Sequence, residues 1–406
     1  MRGIARALLL LFAFTIPWEY SLDLGEPLGN VARVMGLLLL LVAVPAVLQT
    51  GRLRTPGALQ WMVLALYLWF CCSFFWTVDA VATLEKMRAY FQEMMVVWLV
   101  WEFAETPGDL RALLRVTVAG SWVLAALTVA DFASPAAAAA GQFRFVATGQ
   151  DPNDVARFLD LGFPMAALLY DGEKRWPGKL LAAGYLPLGL VAVLLTASRG
   201  GFVAASAAVL GCGILLARGN ARRVVAGVFA LPAIALGIWF AAPHETLERL
   251  TTTFEQIRSA DLNQRWNIWD AGWQAFAQAP ILGRGAGAFT VAAATAPIDT
   301  AHNTALSILV ESGVCGLFLA VAIVVLAACA VMRNQGPLRV ALVTALAVWV
   351  ITSLVATVEE SRTTWLLFAL IALAGRLALE DPGALADHFP DAAHSPQPLA
   401  ASVPVL

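Results

Sequence analysis

NQRWNIWDAGWQAFAQAPILGRGAGAF, from Asn263 to Phe289, and AHNTALSILVESGVCG, from Ala301 to Gly316, are where an otherwise apolar chain turns polar. On both sides the sequence is a succession of apolar segments of roughly 20 residues, the length a helix needs to cross a hydrocarbon core. Strands of a membrane barrel would alternate in polarity over about ten residues instead. The chain therefore reads as an all-α polytopic membrane protein. Arginines, tryptophans, glycines and one histidine crowd into the quoted stretch, and polar chemistry beside a bilayer is costly unless something uses it. The stretch is expected to form the active site.

Composition supports the same class. Of 406 residues, 60% are hydrophobic and 13% charged, and the mean hydropathy is +0.75. That excludes an ordinary soluble enzyme; a net charge of −2 says little by itself, and no nucleic-acid partner is expected. Cys71, Cys72, Cys212, Cys315 and Cys329 all fall in apolar segments with neither zinc-site spacing nor a disulfide framework. No metal site and no cofactor are expected.

Twelve transmembrane helices are expected, near residues 4–18, 31–49, 58–76, 89–104, 110–130, 154–170, 179–197, 201–217, 223–241, 303–331, 338–357 and 363–380. Residues 1–241 hold the first nine and residues 303–380 the last three. Residues 242–302 form a long outer loop, too long to be structureless and expected to fold as interfacial helices. Residues 381–406 read as a disordered cytoplasmic tail, with His388 and His394 solvent-exposed. The tenth span is long enough to hold a turn before it enters the bilayer. Arg2 and Arg6 precede an apolar run without a cleavage site, so the first span is expected to be retained. Short loops rich in Lys and Arg put both termini inside.

Against that rule, Arg144, Arg157, Arg199, Arg265, Arg284 and Arg362, with Lys86 and Arg88, are retained on the outer side. Guanidinium forks match phosphate oxygens in bidentate geometry, so the cluster points to a phosphate-bearing ligand unless it is topological scatter. Trp266, Trp269, Trp273 and Phe276 recur at helical spacing, with Arg265 at the edge of the stripe. Such a belt lies at headgroup level among membrane lipids; Arg265 either meets a ligand there or only snorkels. After Pro280, Gly283, Gly285 and Gly287 around Arg284 permit close backbone approach to a ligand. Thr196 to Gly201 is a tight turn presenting Arg199. Asp151-Pro152-Asn153 either caps the sixth span or contacts substrate.

His302 opens the tenth span beside Asn303. Glu311 is nine residues on, about 180° around the helix, so any partner orienting His302 comes from another segment. Asn303 and Ser307 add polar groups at the mouth.

In these residues the chain resembles the O-antigen ligase family, within a superfamily that includes O-antigen polymerases and protein O-oligosaccharyltransferases. The resemblance rests on Ser198-Arg199-Gly200-Gly201, on Arg265 with its tryptophan helix and on Pro280 to Gly285. It rests too on His302-Asn303 followed by Gly313-Val314-Cys315-Gly316. Asp151-Pro152-Asn153 is similar to an Asn-Pro-Asn element of that family and departs from it at Asp151.

The resemblance implies transfer of a glycan from an undecaprenyl-pyrophosphate-linked donor to a sugar hydroxyl of the lipid A core. The reaction would take place on the periplasmic side of a bacterial inner membrane. It would invert the anomeric carbon and need no metal, with cations stabilising the departing pyrophosphate. Arg199 and Arg265 would hold the pyrophosphate and His302 would activate the acceptor. Arg144, Arg284, Arg362 and Arg88 would be secondary binders, with Asn303, Asp151 and Asn153 contributing polar contacts. A polymerase or protein glycosyltransferase differs only in its acceptor. A lipid-linked-glycan flippase would need ionisable residues along a mid-membrane path, and here they gather outside.

Overall fold

The structure, a computed structural model, describes residues 1–173, 175–217, 244–251, 265–296 and 300–390. Among these residues there is no β-strand, only one isolated bridge between Asp23 and Asn30. Helices α1 (Arg2–Thr15), α2 (Val31–Thr50), α3 (Ala58–Cys72), α4 (Ala80–Phe103) and α5 (Pro107–Phe132) come first. After the short α6 (Pro135–Ala139) follow α7 (Pro152–Gly172), α8 (Trp176–Leu195) and α9 (Arg199–Ala217). Next are α10 (His244–Thr251), α11 (Arg265–Gln278) and α12 (Phe289–Ala292). The chain closes with α13 (Thr304–Arg333), α14 (Gly336–Ser353), α15 (Arg362–Glu380) and α16 (Pro382–His388).

Nine helical segments among the described residues are long and apolar enough to cross a membrane, and the chain is an all-α polytopic membrane protein. They match nine of the twelve expected spans. Two more expected spans, near 89–104 and 154–170, lie within α4 and α7, helices of 24 and 21 residues that carry several charges. Both turn several of those charges inward: Lys86, Glu93 and Glu102 of α4 and Arg157 and Asp160 of α7 are buried. The expected ninth span, near 223–241, lies outside the described residues.

Helices α7 and α15 form the centre, buried almost all round, with α7 against α5, α8, α9 and α14 and α15 against α4 and α13. Gly162 and Gly201 let neighbours close in: a Cβ at Gly201 would lie 2.3 Å from that of Ala156, and one at Gly162 2.4 Å from the Tyr185 hydroxyl. Small residues at such crossings are the membrane substitute for a hydrophobic drive between helices.

The tail departs from expectation in its first part. Residues 382–388 are helical, capped by Asp381, which accepts from the amide of Ala384 at 2.9 Å. Leu385 and Phe389 are buried, and Arg111 Nη1 donates to the carbonyl of His388 at 2.5 Å. His388 is half-buried for the same reason, two apolar anchors four residues apart docking one short amphipathic turn. His394 lies outside the described residues.

The helix directions bring the loops 133–151, 196–198 and 354–361, together with α10 to α12 and His302, to one end of the bundle. The long tenth span is broken at that end. Gly313 has φ 64° and ψ −168°, a region open in practice only to glycine, so a short buried segment from Thr304 to Ser312 precedes the long apolar one.

Candidate active site

The turn before α9 is built around Asn153. Its Oδ1 accepts from Ser198 Oγ at 2.9 Å and from Arg144 Nη2 at 3.2 Å, joining the start of α7 to the 131–153 loop and the Arg199 turn. Asp151 caps α7, accepting from the Asn153 amide at 2.8 Å, as an N-cap aspartate should. Arg144 Nε also donates to the carbonyl of Thr196 at 3.1 Å, and Arg199 Nε to that of Arg249 at 3.0 Å. Arg249 lies over the Phe143 ring, 5.6 Å from its centroid, on a helix pinned by Thr246 Oγ1 donating to the Phe143 carbonyl at 2.6 Å.

These groups act on one another. Burial lowers the pKa of Arg144, helped by the like charges of Arg249, Arg199 and Arg265 and opposed by Asp151. Burial likewise lowers that of Arg265, with Asp151 opposing and Arg199 reinforcing. Both stay cationic, because guanidinium titrates far above neutrality. Four arginines around one aspartate carry an excess of positive charge that suits an anion.

Helix α11 splits its aromatic stripe. Trp266 and Trp273 are exposed, while Trp269 and Phe276 turn inward with Gly272 and Ala275 onto α13, each outer ring meeting its inner neighbour edge-on. Arg265 stands on the inner edge of that stripe and is half-buried. One turn later Trp269 Nε1 donates to the carbonyl of Ala301 at 3.0 Å, which fixes α11 against the residue preceding His302.

His302 has φ 46°, a left-handed backbone uncommon outside glycine, and its Nδ1 lies 3.3 Å from Thr300 Oγ1. Asn303 then caps α13, accepting from the Leu306 amide at 2.9 Å and donating to the Leu354 carbonyl at 3.3 Å. Glu311 faces elsewhere: its Oε2 takes Lys86 Nζ at 2.6 Å and the Gly287 amide at 2.9 Å.

The glycine loop has a structural use that the sequence did not show. It packs backbone against backbone, filling the break in α13. The amides of Arg284 and Gly285 donate to the carbonyls of Val310 and Glu311 at 2.8 and 2.9 Å, and Val314 returns a bond to Pro280 at 2.9 Å. A Cβ at Gly283 would lie 2.4 Å from the Glu311 backbone, and one at Gly285 2.1 Å from Thr77 Oγ1. The carbonyls and amides left open by Gly313 are thereby satisfied, as a bilayer requires.

The remaining candidates lie apart from the arginine cluster. Arg284 is half-buried on that loop, its carbonyl accepting from Val78 at 3.0 Å. Arg362 is buried, paired with Glu19 and donating to Gln92 Oε1 at 3.0 Å. Arg88 is exposed on α4. Lys86, two residues before it, is the buried cation, held by Glu311 and by Glu360 at 2.5 Å at the edge of a polar cavity of about 420 Å³.

Residues 184–321, about a third of the chain, match the family model described as O-Antigen ligase. In that stretch the chain is similar to the O-antigen ligase family. This supports O-antigen ligase or polymerase-type function in a multi-pass membrane protein, glycosyltransferase-like enzymology in glycan assembly. No curated protein matches the chain.

The matched stretch runs from within α8 into α13, so it contains Arg199, Arg249, Arg265, Arg284 and His302. Arg144, Asp151 and Asn153 join it from outside. Sequence reasoning missed Arg249, on a helix whose polarity gave no reason to prefer it. It also chose Arg88 over Lys86, although Lys86, Tyr90 and Glu93 at i, i+4 and i+7 already mark one polar face of α4.

Proposed function

We propose that the protein is an O-antigen ligase, transferring a glycan from undecaprenyl pyrophosphate to a sugar hydroxyl of the lipid A core at the periplasmic face of a bacterial inner membrane. The supporting observation is the mutual electrostatic contact of Arg144, Arg199, Arg249 and Arg265 around Asp151, tied through Trp269 to His302. Departure of a lipid pyrophosphate develops negative charge, and fixed guanidiniums beside it stabilise that charge without reorganising. Arg199 and Arg265 bind the pyrophosphate, with Arg144 and Arg249 adding field. His302 takes the acceptor proton. With Nδ1 donating to Thr300 Oγ1, Nε2 carries the lone pair that a base needs. Attack opposite the leaving pyrophosphate inverts the anomeric centre.

Lipopolysaccharide from a deletion strain tests this. Loss of the whole O-antigen ladder, with lipid-linked glycan accumulating and complementation restoring it, is expected. A single repeat still attached to core means a polymerase, and an unchanged ladder removes both.

A further inference from the structure

Between α4, the start of α13 and the 354–361 loop lies the cavity bordered by Lys86. At about 420 Å³ it falls toward the small end of ligand pockets, roughly 300–1,000 Å³. Its wall contains four carboxylates, Glu85, Glu93, Glu311 and Glu360, against one ammonium, Lys86. Lys86 is already shared between Glu311 and Glu360, and the nearby Arg362 is taken by Glu19. Glu93 is 6% exposed, lines the cavity and has no hydrogen-bond partner for its Oε2. A buried carboxylate left so is costly unless a ligand completes it.

Resting on the transferase reading above, we propose that this cavity is the acceptor-side subsite and takes a saccharide bearing a primary ammonium group, which Glu93 receives. The placement follows from the wall, which includes Thr300 and Ala301, the two residues that precede His302 in the chain. The class of ligand follows from charge and shape. Carboxyl groups outnumber the one ammonium, which favours a cation over the donor's pyrophosphate, and the arginine cluster attracts the pyrophosphate instead. The two substrates are thereby sorted to two sites of opposite charge. Tyr20 and Phe289 add aromatic surface to the wall, and Thr290 and Ser307 add hydroxyl groups, a mixture that suits a pyranose. No group of three or more His, Cys, Asp or Glu among the described residues converges to hold a metal ion, so an organic cation fits the wall better.

The test is binding to the full-length protein in detergent, followed by saturation-transfer NMR with three probes: glucosamine, glucose and N-acetylglucosamine. Glucosamine is expected to bind at least about tenfold more tightly than the other two. Glu93→Gln should remove that preference and leave glucose binding unchanged. If Glu93→Gln fails to fold, Glu360→Gln, at the half-exposed mouth, should reduce the same preference. Equal binding of all three sugars, binding of none, or a preference unmoved in a folded variant overturns the proposal. No lipid donor is present in this experiment, so its failure leaves the transferase reading standing. A deletion strain with an unchanged ladder would instead overturn the transferase reading even if glucosamine still bound.

Discussion

The indole Nε1 of Trp269 donates to the carbonyl oxygen of Ala301 at 3.0 Å, and this bond sets the spacing between the arginine cluster and His302. Arg265 lies one helical turn before Trp269, and His302 follows Ala301. Trp269→Phe keeps the buried ring and removes the bond, worth about 0.5–1.5 kcal/mol of stability. The melting temperature should therefore shift by only a few degrees. Turnover should fall much further, by roughly 10–100-fold, because small misplacements of reacting groups are expensive. Unchanged turnover in a folded variant would show that the bond only packs α11.

Arg265→Lys should be nearly as damaging as Arg265→Ala. The substitution keeps the charge and loses the planar fork that two phosphate oxygens can share. One charge-assisted hydrogen bond is worth roughly 1.5–3 kcal/mol, on the order of 10–100-fold in rate. Steady-state turnover of both variants decides it, and full activity in the Lys form would reduce Arg265 to an anchor of its helix.

Hydrophobic segment lengths made the architecture readable, because a bilayer forces each apolar run of about 20 residues into a helix. The meeting of Arg144, Arg199 and Arg265 was foreshadowed too, since the three stand out against the charge bias of the other loops. What could not be read was which cations are neutralised by distant residues. Arg362 and Glu19 are 343 positions apart, and nothing local marks the pair. The glycines around Arg284 had two meanings, ligand approach or backbone approach. The left-handed break at Gly313 supplies the backbone that they approach. The tail helix was missed because its two anchors, Leu385 and Phe389, are too few to show a period.

Gly313→Ala tests that break. A Cβ there would lie 2.2 Å from the Ile281 carbonyl oxygen, and the φ of 64° with ψ of −168° is hostile to any side chain. Strain of that kind costs on the order of 1–3 kcal/mol before the clash is added. The variant should lose several degrees of thermal stability, or fail to accumulate, while Gly213→Ala, whose Cβ meets open space, should not. Equal stability of the two would mean that α13 can straighten.

Glu359 gives the stability a pH dependence. It is buried in the 354–361 loop, and neither carboxylate oxygen meets a donor from another residue. Burial raises its pKa from 4.5 to about 8, with Glu360 adding to the rise and Lys86 opposing it. Below about 4.5 both the folded and the unfolded forms hold the proton. As pH climbs from there to about 8, only the unfolded form releases it, so stability falls, on the order of 1.4 kcal/mol per unit at most, and levels off above. Glu359→Gln cannot titrate. The difference in melting temperature, variant minus native, should therefore grow from pH 5 to pH 8 and then flatten, and parallel curves would refute the shift.

His302 is the sharpest test of mechanism. If its imidazole takes the acceptor proton, His302→Ala should lower turnover by roughly 10²–10⁴-fold, the usual contribution of a general base. Binding of the lipid-linked donor should survive, because the arginines hold its pyrophosphate. Native activity should show an acid limb as the imidazole becomes protonated and loses its lone pair. Thr300→Val, which removes the 3.3 Å partner of Nδ1, should lower turnover and displace that limb without changing donor affinity. A histidine that binds pyrophosphate behaves in the opposite way. Protonation would help it, activity would hold or rise in acid, and the Ala variant would lose donor affinity. Donor binding and pH–rate profiles of the native, His302→Ala and Thr300→Val proteins, each checked for folding, separate the two. Retained turnover without the imidazole, or lost donor binding with no acid limb, ends the general-base assignment.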